Sequence, residues 1–149
     1  MAFAYRLGNI DDIEAVFRLS RAVLDEAWSK DVMLQSLQVG YDLFVCYQGE
    51  TLIAYVLSQD ILLETQIMQV CVHQDFRRLG VANKLMNMLI AAKQGMEVLI
   101  LEVRASNAAA QSFYHHLGFT DVGQRPNYYA ATSSKPREDA VVMAYPLSA

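Results

Sequence analysis

Two side chains suited to proton transfer lie close together in LEVRASNAAAQSFYHHLGF, residues 101–119: the carboxylate Glu102 and the phenol Tyr114. A carboxylate can serve as a general base and a phenol as a general acid. Further upstream, Arg77-Arg78-Leu79-Gly80-Val81-Ala82 sets two guanidiniums and a glycine in front of a helical pattern. Glycine lets backbone approach a ligand closely. Free amides at a helix start favour phosphate, and Arg77 and Arg78 add charge-assisted contacts. The loop is neither a Walker loop nor the dinucleotide GxGxxG. From spacing alone, Glu102 is equally a base or a strand-end carboxylate that reaches solvent or pairs with Arg104. Likewise Tyr114 reads as a packing residue and the loop as a solvated connection.

The elements that must hold these residues follow from periodicity. Alternation predicts a strand over 98–103, with Glu102 on the face of Val98 and Ile100, partly withdrawn from water. Asn107 caps the next helix and Gly118 ends it. Ala110, Phe113 and Leu117 face the core there, with Tyr114 at the boundary. Upstream, 2–7 reads as a weak strand. A helix capped at Asn9 or Asp11 then buries Ile13, Val16, Phe17, Ser20, Val23 and Leu24, and a shorter helix is capped by Ser29. Trp28 reads as a packing residue between the two helices, with a cleft-lining role as the alternative. Strands at 43–47 and 51–58 form a hairpin around Gly49, and a third strand spans 64–72. The loop 73–79 leads to a helix whose core face is Val81, Leu85, Met88 and Leu89. Strand, helix, strand favours parallel pairing. The polar segment 125–139 is a long connection, and a last strand spans 140–145.

A chain of 149 residues with 54% hydrophobic and 19% charged residues implies one globular domain, 1–149. A net charge of -4 argues against nucleic-acid binding. The opening MAFAYRLGNIDD has no signal-peptide pattern, and no apolar run approaches the ~20 residues that span a bilayer, so a cytoplasmic, membrane-free protein is expected. Cys46 and Cys71 sit in apolar runs as buried free thiols. His115 and His116 are adjacent on one helix and far from His73, which excludes a zinc site. Ser106 and Ser112 lack a nucleophile elbow.

In this order, a strand over 67–72, the helix-opening RRLGVA and LEVRASNAAAQSFYHHLGF resemble the GNAT superfamily of acetyl-CoA-dependent N-acetyltransferases. Its loop pattern Arg/Gln-x-x-Gly-x-Gly/Ala is matched by Arg77, Gly80 and Ala82, and its second motif by Asn107, Tyr114, Gly118 and Phe119. LEVRASNAAA, Asn127-Tyr128-Tyr129, Arg137-Glu138-Asp139-Ala140 with Met143, and Trp28-Ser29 extend the resemblance to the bacterial ribosomal-protein alanine N-acetyltransferase family. The resemblance implies an α/β fold: a central mixed sheet, largely antiparallel, with a parallel βαβ unit at the cofactor site and flanking helices. It implies Glu102 as base and Tyr114 as acid. Cofactor contacts are implied at Val70, Cys71 and Val72, at Arg77, Arg78, Leu79, Gly80, Val81, Ala82 and Asn83, and at Asn107. Trp28, Tyr128 and Tyr129 would contact the substrate, the N-terminal alanine of a ribosomal protein. Departures are Arg77 where relatives often carry Gln, Ala82 for a second glycine, and Ala27 and Ala130 where they tend to carry Pro.

Two other readings stand beside this one. A small-molecule amine, such as a polyamine or aminoglycoside, suits the same fold, and the Tyr128-Tyr129 segment discriminates against it. A non-catalytic cofactor-binding module is opposed by the presence of both Glu102 and Tyr114.

Overall fold

In the computed structural model, which describes residues 2–147, alternation and helical spacing resolve into a mixed sheet with helices. The elements are β1 (Ala4–Leu7), α1 (Ile13–Val23), α2 (Lys30–Gln38), β2 (Asp42–Gln48), β3 (Thr51–Ile61), β4 (Glu64–Val72), α3 (Val81–Ala92), β5 (Val98–Arg104), α4 (Ala108–Leu117), β6 (Thr120–Tyr129) and β7 (Glu138–Pro146). The sheet order is β1-β2-β3-β4-β5-β7-β6. Its one parallel pair is β4–β5, and the rest is antiparallel, as expected of the mixed sheet. No helix among the described residues is long and apolar enough to cross a membrane. The chain divides into two compact units, 2–60 with 67–93, and 61–66 with 94–147.

In the first unit, β2 and β3 turn at Gly49, whose φ of +59° belongs to the left-handed region that glycine enters without steric cost. α1 and α2 cover one face: Ile13, Val16, Leu19 and Met33 pack with Leu43, Val45, Tyr55, Leu57 and Cys71. Asn9 caps a 3-10 turn, Ile10–Asp12, that leads into α1, accepting from the Asp11 amide at 2.8 Å, and Ser29 caps α2, accepting from Val32 at 3.2 Å. Two core assignments from the sequence shift. Leu19 is buried where Phe17 was expected, and Met86 is buried where Met88 was. The rest of each stripe is buried or half-buried as expected, and Phe17 still packs against the core; a step of about 100° per residue makes the stripe's edges sensitive to what the helix meets. Lys93, at the end of α3, is clamped by Asp42 and by Asp60 at 2.8 Å.

In the second unit, β4 pairs with β5 from Glu64↔Val98 to Gln66↔Ile100, and β7 lies antiparallel between β5 and β6. Leu99, Leu101 and Val103 are buried with Met143 and Phe119. The segment expected to be a polar connection from residue 125 begins as strand, for β6 continues through Tyr129 and the connection to β7 shortens to 130–137. Almost every β6 residue is exposed, so no apolar alternation marks it. Pro126 fits an edge strand, where a missing N–H is tolerated.

Candidate active site

β4 carries Val70, Cys71 and Val72 to the end of the first unit's sheet. Cys71 points into the core, and burial pushes its thiol up to about 12. Val70 and Val72 are half-buried on the opposite face, so the positions offer backbone rather than side-chain chemistry. A 3-10 turn, Gln74–Phe76, then leads into the loop. Here Arg78 has φ +64° and Gly80 φ +77°. Left-handed residues on either side of Leu79 can turn neighbouring amides into one concavity. Arg77, Arg78, Leu79, Gly80 and Asn83 are exposed, Ala82 is half-buried, and Val81 anchors α3 in the core. No side chain caps α3, in contrast to Ser29 on α2 and Asn107 on α4. A Cβ built on Gly80 meets nothing within 4 Å. The loop therefore offers free amides, open space and two cations, which suits a diphosphate.

In the second unit, the alternation of β5 puts Glu102 on the face away from Leu101 and Val103, and its side chain is 19% exposed. Its partner is Arg125, whose Nε lies 3.2 Å from Oε1, and not Arg104. Arg104 instead donates to Glu138 at 2.8 Å and stacks on Tyr129, its guanidinium 4.6 Å from the ring centre. Glu138 also accepts from the Ser106 amide and hydroxyl, at 3.1 and 3.0 Å. Asn127 has φ +54°. Its amide donates to Asp139 and its carbonyl accepts from Arg137, both at 2.8 Å. The Arg137-Glu138-Asp139 run thus braces the turn that presents Tyr128 and Tyr129. These rings meet edge to face at 5.0 Å, and Arg125 lies 5.8 Å from the centre of Tyr128. Burial, and then the Glu102 charge, push the Tyr128 phenol above its ordinary value. Glu102, Arg125 and Tyr128 so form one charged and aromatic group. Arg125 is the residue that periodicity missed; its place before Pro126-Asn127-Tyr128-Tyr129 was its only signal.

Asn107 caps α4, accepting from the Ala110 amide at 3.1 Å. Tyr114 was expected at the edge of α4's core stripe, but it is the buried residue of that helix, while Ala110, Phe113 and Leu117 are half-buried. Its ring packs edge-on against Phe113 and Phe119, at 5.3 and 5.7 Å. Burial drives the phenol well above its ordinary value, so Oη keeps its proton. No hydrogen bond to Oη is made among the described residues. Trp28, in the first unit, packs edge-on against Tyr41 at 6.4 Å. His115 donates to Asp121, and His116 to the Ser112 carbonyl, each at 2.8 Å.

Residues 12–119 match the family model described as Acetyltransferase (GNAT) family. The chain belongs to the GNAT acetyltransferase family. This acetyltransferase is 34% identical over 139 residues to the [ribosomal protein bS18]-alanine N-acetyltransferase of Escherichia coli (strain K12), covering 92% of this chain and 93% of that one. The crystal structure of the ribosomal-protein-S18-alanine N-acetyltransferase from Escherichia coli superposes with a TM-score of 0.91 at 31% identity, over 99% of this chain and 96% of that one. Ard1 from Thermoplasma volcanium gives 0.88 at 25% identity, over the whole of both chains. The enzyme is an acetyl-CoA-dependent N-acetyltransferase. The uncapped α3 terminus, with open space over Gly80 and exposed Arg77 and Arg78, fits the diphosphate of that cofactor.

Proposed function

We propose that this enzyme acetylates the N-terminal α-amine of an alanine-initiated ribosomal protein in the cytoplasm, by direct attack within a ternary complex. The observation that carries the reading is the grouping of Glu102 with Tyr128 on a turn braced by Arg137, Glu138 and Asp139. The similarity to an enzyme named for the alanine of bS18 supports it. An α-amine has a pKa of ~7.7–8.0 and is largely protonated at neutral pH, so it must lose a proton before it can attack. Glu102 takes that proton, directly or through a water. Acetyl-CoA, when bound, supplies an activated thioester carbonyl. The Arg78, Leu79, Gly80, Val81, Ala82 and Asn83 amides hold its diphosphate with Arg77, and Asn107 adds a further contact. The strand amides of Val70, Cys71 and Val72 hold the pantetheine and the carbonyl oxygen. Tyr114 presents the Oη proton that its burial retains to the departing sulfur. Trp28, Tyr128 and Tyr129 contact the peptide. Direct attack is supported by the two thiols: Cys46 and Cys71 are buried and raised above their ordinary values by that burial, so neither is a ready nucleophile.

Intact-mass analysis of ribosomal proteins incubated with enzyme and acetyl-CoA tests the reading. One protein should gain a single acetyl group at its N-terminus. Acetylation of a polyamine or aminoglycoside with every ribosomal protein unchanged would overturn it.

A further inference from the structure

Two arginine–glutamate pairs lie on one face of the β5–β7–β6 sheet, and they are built differently. Arg104 and Glu138 form a lock, with side chains only 5% and 16% exposed and Ser106 bonded to the same carboxylate. Arg125 and Glu102 do not. Arg125 approaches Glu102 through Nε, at 3.2 Å, and its side chain is 55% exposed. The register explains the reach. Arg104, Ala140 and Arg125 share one row across the strands, and Glu102, Val142 and Gly123 the next row on the same face. Arg125 therefore crosses β7 diagonally to Glu102. Ala140 has only a methyl and a Cβ at Gly123 would meet nothing within 4 Å, so Val142 is the one branched side chain beside that path. Asn127, with its positive φ, ends the regular pairing after Arg125.

An exposed cation resting on the carboxylate proposed as base occupies the place that a substrate ammonium needs. We propose that Arg125 is a specificity-determining counter-ion: its guanidinium stands in for the substrate ammonium on Glu102 and yields to it. Glu102 is then open to amines that arrive as cations and replace the guanidinium. Arg125 can swing aside over the exposed Tyr128 ring, 5.8 Å from its centre, without unfolding the strand. This inference rests on the reading of Glu102 as the base.

The experiment measures binding of two synthetic peptides to the CoA-bound enzyme by calorimetry: one with a free N-terminal alanine, the other with that alanine already acetylated. An exposed ion pair is worth ~0.2–1 kcal/mol, so Arg125→Gln should bind the free-amine peptide about 1.4- to five-fold tighter. The blocked peptide should bind unchanged, and Arg125→Lys should behave as wild type. In steady state the KM for peptide should fall while that for acetyl-CoA stays constant. In a Glu102→Gln background, the Arg125→Gln gain should vanish. Arg125→Met, which keeps the aliphatic stem against Tyr128, repeats the test should Arg125→Gln lower the thermal midpoint. Weaker or unchanged binding of the free-amine peptide, or a gain that persists without the Glu102 carboxylate, overturns the counter-ion role. Failure of the base reading shows separately, as wild-type turnover in Glu102→Gln alone.

Discussion

Substituting Gly80 by alanine separates what its backbone costs from what its amides bind. Gly80 has φ +77° and Gly49 φ +59°, and a Cβ at either meets nothing within 4 Å. Alanine therefore clashes with no neighbour at either site, and the penalty is that of the left-handed backbone, roughly 1–2 kcal/mol. For a chain of this size that is a fall of about 2–4 °C in Tm per kcal/mol. If Gly80→Ala relaxes towards negative φ, the amides of residues 79–82 turn away from the diphosphate. Losing one hydrogen bond to a charged group costs about 1.5–3 kcal/mol, a roughly ten- to hundred-fold loss of acetyl-CoA affinity. Gly49→Ala is the matched control, with a similar loss of stability and unchanged affinity. Asparagine tolerates positive φ better than alanine and keeps the amides in place, so Gly80→Asn should recover both stability and affinity in part. Urea denaturation and calorimetry with CoA read the two quantities apart. Equal affinities in Gly80→Ala and Gly49→Ala would refute the assignment of the loop to the diphosphate.

Three further outcomes are expected. Glu102→Gln should lower turnover about 10²–10⁴-fold with acetyl-CoA affinity retained; an unchanged rate in single-turnover kinetics removes it as the base. Tyr114→Phe should cost little stability, because no hydrogen bond to Oη is made among the described residues, yet should lower turnover over a similar range. The Arg6 guanidinium, with the Tyr47 hydroxyl and the Asn9 amide, holds the Asp12 carboxyl down at about 2, against 3.8 ordinarily. A depressed carboxyl stabilises the fold above its ordinary value, and that stabilisation disappears as pH falls from about 4 towards 2. Asp12→Asn should thus cost about 2 kcal/mol at pH 7 and progressively less on acidification, read from urea midpoints; a deficit independent of pH contradicts the ion pair.

The β5–α4 stretch was legible because each of its signals is local. Alternation set Leu99, Leu101 and Val103 against Glu102, and Asn107 and Gly118 marked both ends of α4. The buried free thiols and the β2–β3 hairpin were legible for the same reason. The edges of the helix stripes were not, since they depend on what packs against each helix; hence Leu19 and Met86 in the core, and a Tyr114 deeper than its spacing suggested. β6 was hidden because its pairing with β7 requires no apolar face. The partner of Glu102 was hidden with it: Arg104 is the nearer in sequence, but Arg125 meets Glu102 only once β7 lies between the two strands.

β6 is also the last strand in the sheet order, and the last strand of any sheet offers unpaired amides and carbonyls to another chain. Here Pro126 removes one donor, the Asn127 amide is committed to Asp139 and the Asn127 carbonyl to Arg137. Arg125 adds charge beside them. A strand so interrupted is a poor template for edge-to-edge pairing, and at the other end β1 spans only Ala4–Leu7. The turn that carries Tyr128 therefore also protects the enzyme against aggregation, and replacing Pro126 and Asn127 by β-formers would put solubility at risk.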